Sequence, residues 1–474
     1  MTVKTSELRS GEARPAGEVK RVFLETFGCQ MNKLDSELAM QQLAAEGFEL
    51  TEQMSDADLI VFNTCSVRDH AEQKVRSRLG KLKYRKYRKE DAVVAVMGCM
   101  AQREGQELLD RTPTVDLVVG TKTFMELPQL YRDAREARQR KVADEIAHEF
   151  RYTRDISYRS EGHRAYVSIM RGCDLKCTYC IVPETRGREQ SRPLDEIVDE
   201  VTRLADDGVR EVTLLGQTVN SWGKQLSPKQ TLADLLEALE EVDGLLRVRF
   251  ITSHPIFFFK GFWERIAPLK KVCRYFHVPA QHGSNRMLDA MKRLYTREQY
   301  LDMAREAKAV MPDVALAGDI IVGFPGETEE DYAQCETLLR EVGFQNNFIF
   351  KYSPRPGTPS AEGMVDDVPQ EVKDRRCHDL IKIQEELSLA RNEAAIGREV
   401  EVLVDGPSKK NDAVLSGRSD DNRIVIFEGP RRLTGELVKV KLERCSPNTL
   451  YGTLVEAPET RTQPWRPRPL PIVS

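Results

Sequence analysis

The sequence predicts an α/β protein in three parts: an N-terminal parallel-sheet α/β domain, a full or partial (β/α) barrel, and a small antiparallel β-barrel of OB type. Three observations predict it. Short apolar runs alternate with helix-length amphipathic stretches from residue 20 to 140, the pattern of strands buried on both faces of a parallel sheet. The same alternation repeats through residues 159–391, long enough for a barrel. Five strand-like runs with turns between them then crowd into residues 392–456. A chain of 474 residues exceeds a single core, and roughly two to four domains are expected.

Taken in order, residues 1–19 are polar, hold Gly11, Pro15 and Gly17, and lack the apolar segment of a signal peptide; they read as a disordered lead. Strands are expected at 21–27, 59–63, 92–97 and 116–119. Just past the first three stand Cys29, Cys65 and Cys99. Open parallel sheets gather binding groups at the carboxyl ends of their strands, so these thiols are expected to converge on one Cys-ligated cluster. Three separately buried cysteines are the plainer alternative. Gly28 and Gly98 allow the tight turns that a bulky inorganic core requires. Residues 141–158 are charged and read as a linker.

Barrel strands are expected at 165–170, 211–215, 246–252, 274–278, 314–322 and 346–352, with helices near 195–206, 232–242, 297–310 and 329–342. The C-terminal strands are placed at 400–404, 413–418, 423–427, 436–442 and 449–454, followed by a Pro/Arg-rich tail over 457–474. Barrels of this small type often bind nucleic acid, and a structural lid is the alternative.

The chemistry is concentrated at Arg171-Gly172-Cys173-Asp174-Leu175-Lys176-Cys177-Thr178-Tyr179-Cys180. Three thiolates on one loop can hold three irons of a 4Fe-4S cube and leave the fourth open to another ligand. Zinc would require a fourth close Cys or His, and the nearest histidine, His163, lies upstream of the preceding strand. No apolar run approaches the roughly 18 residues of a membrane span. A cytoplasmic location is expected, and ten cysteines in a reducing compartment serve as ligands or core residues rather than disulfides. The net charge of −4 gives no global argument for nucleic acid. One local run does: residues 74–89 hold many bases and no acid, with Tyr84 and Tyr87 among them, which suits either an RNA contact or a solvated helix face.

The C-x-x-x-C-x-x-C loop resembles the radical S-adenosylmethionine (SAM) signature. With Thr-x-Gly-Cys-Gln-Met-Asn at Cys29, Asn-Thr-Cys-x-x-Arg at Cys65 and Gly-Cys-Met-Ala-Gln-Arg at Cys99, residues 20–456 resemble the methylthiotransferase family of radical SAM enzymes, and within it the tRNA-modifying MiaB type. The loop Leu215-Gly216-Gln217-Thr218-Val219-Asn220-Ser221-Trp222-Gly223 is similar to that type, with departures at Thr218 and Trp222, and at His282 in a later loop. The resemblance implies a methylthiotransferase N-terminal domain, a radical SAM core and a C-terminal TRAM domain. It implies two 4Fe-4S clusters, one on Cys29, Cys65 and Cys99 and one on Cys173, Cys177 and Cys180, the latter binding SAM. Contacts to SAM are expected from Gly216, Gln217, Asn220, Ser221, Gln281, Ser284, Asp319, Gly323 and Glu327. The implied reaction converts isopentenyl(dimethylallyl)adenosine beside the tRNA anticodon to its 2-methylthio derivative. An electron donor such as flavodoxin or ferredoxin is implied as a partner, with the sulfur donor open. A sister enzyme acting on threonylcarbamoyladenosine or a ribosomal-protein aspartate is disfavoured by the Gly-Gln-x-Val-Asn-Ser loop. A non-enzymatic iron-sulfur RNA-binding protein is the remaining alternative; an electron carrier would ordinarily complete each cluster with four cysteines.

Overall fold

The computed structural model describes residues 19–66, 69–84, 88–137, 140–145, 154–159 and 162–458. The lead up to residue 18, residues 146–153 of the expected linker, the tail from 459 and Tyr87 lie outside these residues.

The first domain is a parallel sheet of β1 (Lys20–Thr26), β2 (Phe48–Leu50), β3 (Leu59–Thr64), β4 (Val93–Gly98), β5 (Leu117–Val119) and β6 (Lys141–Ala143), in the order β2-β1-β3-β4-β5-β6. Successive side chains of a strand face opposite ways, and here each face has its own core. Val22, Leu24, Leu59, Val61, Ala95 and Met97 pack against α1 (Gln30–Ala45) and α4 (Leu127–Ala137). Phe23, Ile60, Phe62, Val94 and Val96 pack against α2 (Asp69–Lys81) and α3 (Cys99–Arg111). That double burial is why β4 and the first four residues of β3 carry no polar side chain. The sheet continues past residue 140, because β6 pairs with β5 inside the expected linker.

The second region strings six parallel strands in chain order: β7 (Arg164–Ser168), β10 (Glu211–Leu215), β11 (Arg247–Phe250), β12 (Tyr275–His277), β13 (Ala315–Val322) and β14 (Asn346–Lys351). A single bridge, Val248 to Val272, joins the two three-stranded arcs. The result is a partial barrel, with β14 as an edge. The hairpin of β8 (Met170–Arg171) and β9 (Gln190–Ser191) brackets the cysteine loop and the short α5 (Val182–Arg186). The outer layer is α6 (Leu194–Asp206), α7 (Leu232–Glu240), α8 (Phe262–Ile266), α9 (Asn285–Ala290), α10 (Arg297–Val310), α11 (Glu329–Val342), α12 (Pro359–Gly363) and α13 (Gln370–Glu393). Capping boxes at Thr231, Thr296 and Thr328 set the starts of α7, α10 and α11.

The third domain is a closed barrel, β15 (Glu399–Pro407), β16 (Leu415–Ser419), β17 (Ile424–Phe427), β18 (Leu437–Ser446) and β19 (Thr449–Glu456), ordered β15-β16-β17-β19-β18. Its pairings are antiparallel as expected except one. The chain crosses from β17 to pair β18 with β15, so β19 returns beside β17 in the same direction. This domain caps the N-terminal ends of the central strands. Arg247 donates to Arg418 O (2.6 Å) and Glu401 O (3.0 Å), and Arg249 to Asp420 O (2.9 Å) and Ser419 O (2.8 Å).

Three cations of the basic run are bound to their own domain. Arg76 pairs with Glu104 (2.7 Å), Arg78 with Glu25 (2.9 Å) and Lys89 with Asp58 (2.7 Å), so these cations are committed to carboxylates rather than held out for phosphates.

Candidate active site

All six motif cysteines line one cavity of about 2180 Å³, which runs from the strand ends of the first two domains to the third. Cys29 is the N-cap of α1, and Cys99 is the first residue of α3, so both thiols sit where helix dipoles favour negative charge. Asn32 donates to Asn63 Oδ1 (3.0 Å) and to Thr64 O (2.8 Å), tying the Cys29 turn to the end of β3 that carries Cys65. Gly28 has φ 133°, and a Cβ there would stand 2.4 Å from Cys65 Cβ; only glycine lets these two cysteines approach. The Cys65 thiol, and after it the Arg186 guanidinium, pulls Cys29 down to about 6 against the cost of burial. Burial pushes Cys99 up, opposed by Arg186.

The second set is local. Gly172, at φ 76°, makes the turn that opens the loop, and a Cβ there would meet Arg188 O at 2.0 Å. Gln217 accepts from Gly172 N (2.6 Å), and the Thr218 hydroxyl lies 3.5 Å from Cys173 Sγ. Arg293 donates to Cys177 Sγ (3.2 Å). Burial, then the neighbouring Cys177, pushes Cys180 up to about 12, and burial also raises Cys173. Such buried thiols ionise only against a strongly bound cation, as iron ligands do.

One buried carboxylate joins the two sets. Asp35 of α1 accepts from Arg171, two residues before Cys173, and from Arg186 Nη2 (2.9 Å). Arg154 adds a second buried bridge, to Glu37 of α1 (2.6 Å) and Glu200 of α6 (3.2 Å). The first two domains therefore meet through paired, desolvated charges.

The cavity walls fit groups larger than water. Arg186 Nη1, His254 Nε2, Ser253 Oγ, Ser66 Oγ and Gln281 Oε1 are buried on its lining with no hydrogen-bond partner among the described residues. Unpaired buried donors and acceptors of this kind call for a bound polar ligand. His254 is kept neutral, at about 2, by burial and then by Arg293; its Nδ1 accepts from Ile256 N, which leaves Nε2–H directed to the cavity. Among the described residues no three Cys, His or carboxylate groups close to single-ion spacing. A cube in which each cysteine takes its own iron uses a wider set of thiols than one ion does.

Of the expected SAM contacts, Gly216, Gln217, Gln281 and Asp319 line the cavity, with His277 Nε2 at 3.3 Å from Asp319. Asn220, Ser221, Ser284, Gly323 and Glu327 are turned into the protein instead. Asn220 exchanges hydrogen bonds with the His254 main chain, both 2.9 Å. Ser221 donates to Glu189 (2.7 Å) and Ser284 to Asp331 (2.6 Å). Glu327 accepts from Gly323 N and from Phe324 N (3.1 Å) while paired to Arg376 (3.0 Å). A Cβ on Gly323 would meet Lys373 at 2.3 Å. Polar loops at strand ends satisfy one another first, and these five shape the rim. Of the three departures, Trp222 is buried with its indole donating to Arg192 O (3.0 Å), and His282 is buried and accepts from Ser284 N (3.0 Å); Thr218 alone reaches the cavity. Sequence reasoning passed over Asp35, Arg186, Arg293 and His254 as site residues. Arg186 and His254 carry one local signal, a cation or imidazole just past a ligand loop or a strand end; Asp35, inside α1, and Arg293, past α9, carry none.

The chain matches the Uncharacterized protein family UPF0004 over residues 21–120, the Radical SAM superfamily over 167–339 and the TRAM domain over 393–455. It is similar to two solved forms of a radical S-adenosylmethionine methyltransferase, TsrM, from Kitasatospora setae. One has cobalamin and a 4Fe-4S cluster bound (TM-score 0.52, 17% identity, 73% of this chain and 74% of that one), the other tryptophan and a SAM analog (TM-score 0.53, 16% identity, 72% and 75%). At that identity the likeness concerns the fold. A tRNA-2-methylthio-N(6)-dimethylallyladenosine synthase of Akkermansia muciniphila is 42% identical over 450 residues, covering 91% of this chain and 98% of that protein. Its counterpart from Burkholderia cenocepacia is 44% identical over 446 residues, covering 92% and 97%. With that identity along nearly the whole chain and the three domains matched in order, the protein belongs to the tRNA-2-methylthio-N(6)-dimethylallyladenosine synthase family of radical SAM enzymes.

Proposed function

We propose that this protein converts dimethylallyladenosine beside the anticodon of tRNA to its 2-methylthio derivative, with SAM and two 4Fe-4S clusters, one held by Cys173, Cys177 and Cys180 and one by Cys29, Cys65 and Cys99. The observation that carries this reading is the meeting of two three-cysteine sets on one cavity whose far rim belongs to the third domain. When bound, these groups supply one-electron cleavage of SAM and a sulfur for transfer. The chain's own residues hold and aim. Gln217 fixes the turn at Gly172, Arg293 holds the Cys177 sulfur in place by a hydrogen bond, and Asp35 fixes the spacing of the two sets. Gln281 and His254 offer an acceptor and a donor to a polar ligand. On the third domain, Lys409, Lys410, Asn448 and the Arg444–Tyr451 stack (3.6 Å) offer phosphate and ring contacts to RNA. A flavodoxin or ferredoxin fits the one-electron requirement as donor.

The test is nucleoside mass spectrometry after anaerobic incubation of iron-loaded protein with SAM, a reductant and tRNA bearing dimethylallyladenosine. The 2-methylthio nucleoside is expected together with 5′-deoxyadenosine. Formation of 5′-deoxyadenosine without the modified nucleoside would overturn the substrate; absence of both would overturn the enzymatic reading.

A further inference from the structure

The open edge of the central barrel carries a feature that the cysteines do not explain. Phe348 and Phe350 lie two residues apart on β14 and so share one face. Their ring centroids are 6.5 Å apart with planes at 23°. The intervening Ile349 turns the other way and packs on the barrel's core, as does Cys377 of α13. Both phenylalanines line the cavity, yet they remain 47% and 38% exposed. A closed barrel would bury these rings in its own packed interior; here the sheet ends, and two aromatic faces are left open. His277 stands edge-on to Phe348, 6.3 Å away, and Asp319 lines the same wall. Apolar faces bordered by a hydrogen-bonding pair suit a heteroaromatic ring better than an aliphatic peptide. Lys409, Lys410 and Arg444 on the far rim would meet the phosphates attached to such a ring.

We propose that Phe348 and Phe350 are the stacking platform for the purine of the RNA substrate once it leaves the stack of its own loop; this rests on the tRNA reading above. An enzyme acting on a ring carbon of a stacked base must draw that base out, and aromatic side chains replace the contacts the base gives up. The platform is on the cavity wall that leads from the edge strand to the two cysteine sets.

Binding tests this without turnover. Fluorescence anisotropy at one fixed salt concentration compares iron-loaded wild type with Phe348→Ala/Phe350→Ala, Phe348→Leu/Phe350→Leu and Phe348→Tyr/Phe350→Tyr. The probes are an anticodon hairpin carrying dimethylallyladenosine and the same hairpin abasic at that position. The Ala pair should bind the base-bearing hairpin roughly 5- to 150-fold more weakly, the range for loss of one base–aromatic stack. The abasic hairpin should bind as it does to wild type. The Leu pair, which keeps apolar volume without a π face, should show the same selective loss even if the Ala pair folds poorly, and the Tyr pair should restore affinity. Phe259→Leu, as exposed as Phe350 but outside the cavity, should change neither. Equal losses on both hairpins, or no loss on the base-bearing one, would overturn the platform. Because no product is read, a wild type that binds the base selectively but makes no methylthio nucleoside sinks the reaction while leaving the platform standing.

Discussion

The two cysteine sets reach the same cavity by opposite routes. Cys173, Cys177 and Cys180 are brought together by the chain itself within one loop, whereas Cys29, Cys65 and Cys99 meet only because β1, β3 and β4 lie side by side in one sheet. Their electrostatics differ accordingly. In the dispersed set the Cys65 thiol, and after it Arg186, draws Cys29 down to about 6, while burial raises Cys99; the local set is desolvated, and Cys180 is driven up to about 12. In the set made by the fold, Cys29 is prepared for charge before anything binds. A set made by a loop waits for its ligand.

The largest test of that contrast removes one set at a time. Cys29→Ala/Cys65→Ala/Cys99→Ala should hold roughly four irons per chain against roughly eight in the parent. It should still cleave SAM while making no methylthio nucleoside. Cys177→Ala should lose both reactions. Iron assay and chromatography of 5′-deoxyadenosine read the outcome, and roughly four irons in the parent protein would end the two-cluster reading.

Next in size is Asp35, which belongs to both sets. Asp35→Ala leaves Arg171 and Arg186 buried without their carboxylate, and breaking a buried pair costs about 3–5 kcal/mol. Denaturant titration should show that loss, while an exposed pair such as Arg305–Asp302 should cost under about 1 kcal/mol when broken.

Smaller effects should separate the sets by their cations. Removing a positive charge disfavours the more negative, reduced state of a nearby cluster. Arg186→Gln should therefore lower the midpoint potential of the N-terminal cluster by about 60 mV, about 1.4 kcal/mol for one electron. It should leave the barrel cluster unmoved, and Arg293→Gln should do the reverse. Redox titration followed by electron paramagnetic resonance checks this, and equal shifts at both clusters would break the contrast.

The smallest effect is on the iron-free protein. Cys29, with its pKa lowered to about 6, is a thiolate above that pH and a thiol below it, so its alkylation by iodoacetamide should already be near plateau at neutral pH and fall through about pH 6. Cys180, raised to about 12, should stay unreactive over the same range. Peptide mapping across pH would expose a shared midpoint if the contrast were false.

Much of this was legible in the chain. β4 and the first four residues of β3 form unbroken apolar runs because both faces are covered, and the loop of three cysteines is visible at a glance. β2 and β6 were not, because three-residue strands at sheet edges pair on one side only and carry little apolar signal. Arg186 and Asp35 are 151 residues apart, and nothing in the sequence near either one names the other. Asn220, Ser221 and Ser284 were legible as polar loop residues but not as inward-facing ones, since a hydroxyl or amide at a strand end suits a ligand and a neighbour equally well.

Arg247 and Arg249 grip the third domain by its main chain, at residues 401, 418, 419 and 420. Carbonyl oxygens are the same whatever residue bears them. The joint takes only a few side chains of that domain, Asp405 paired with Arg164 (2.5 Å) and Asp420 accepting from Arg274 N (3.1 Å) among them, so most of the domain's surface can change without loosening its hold on the barrel.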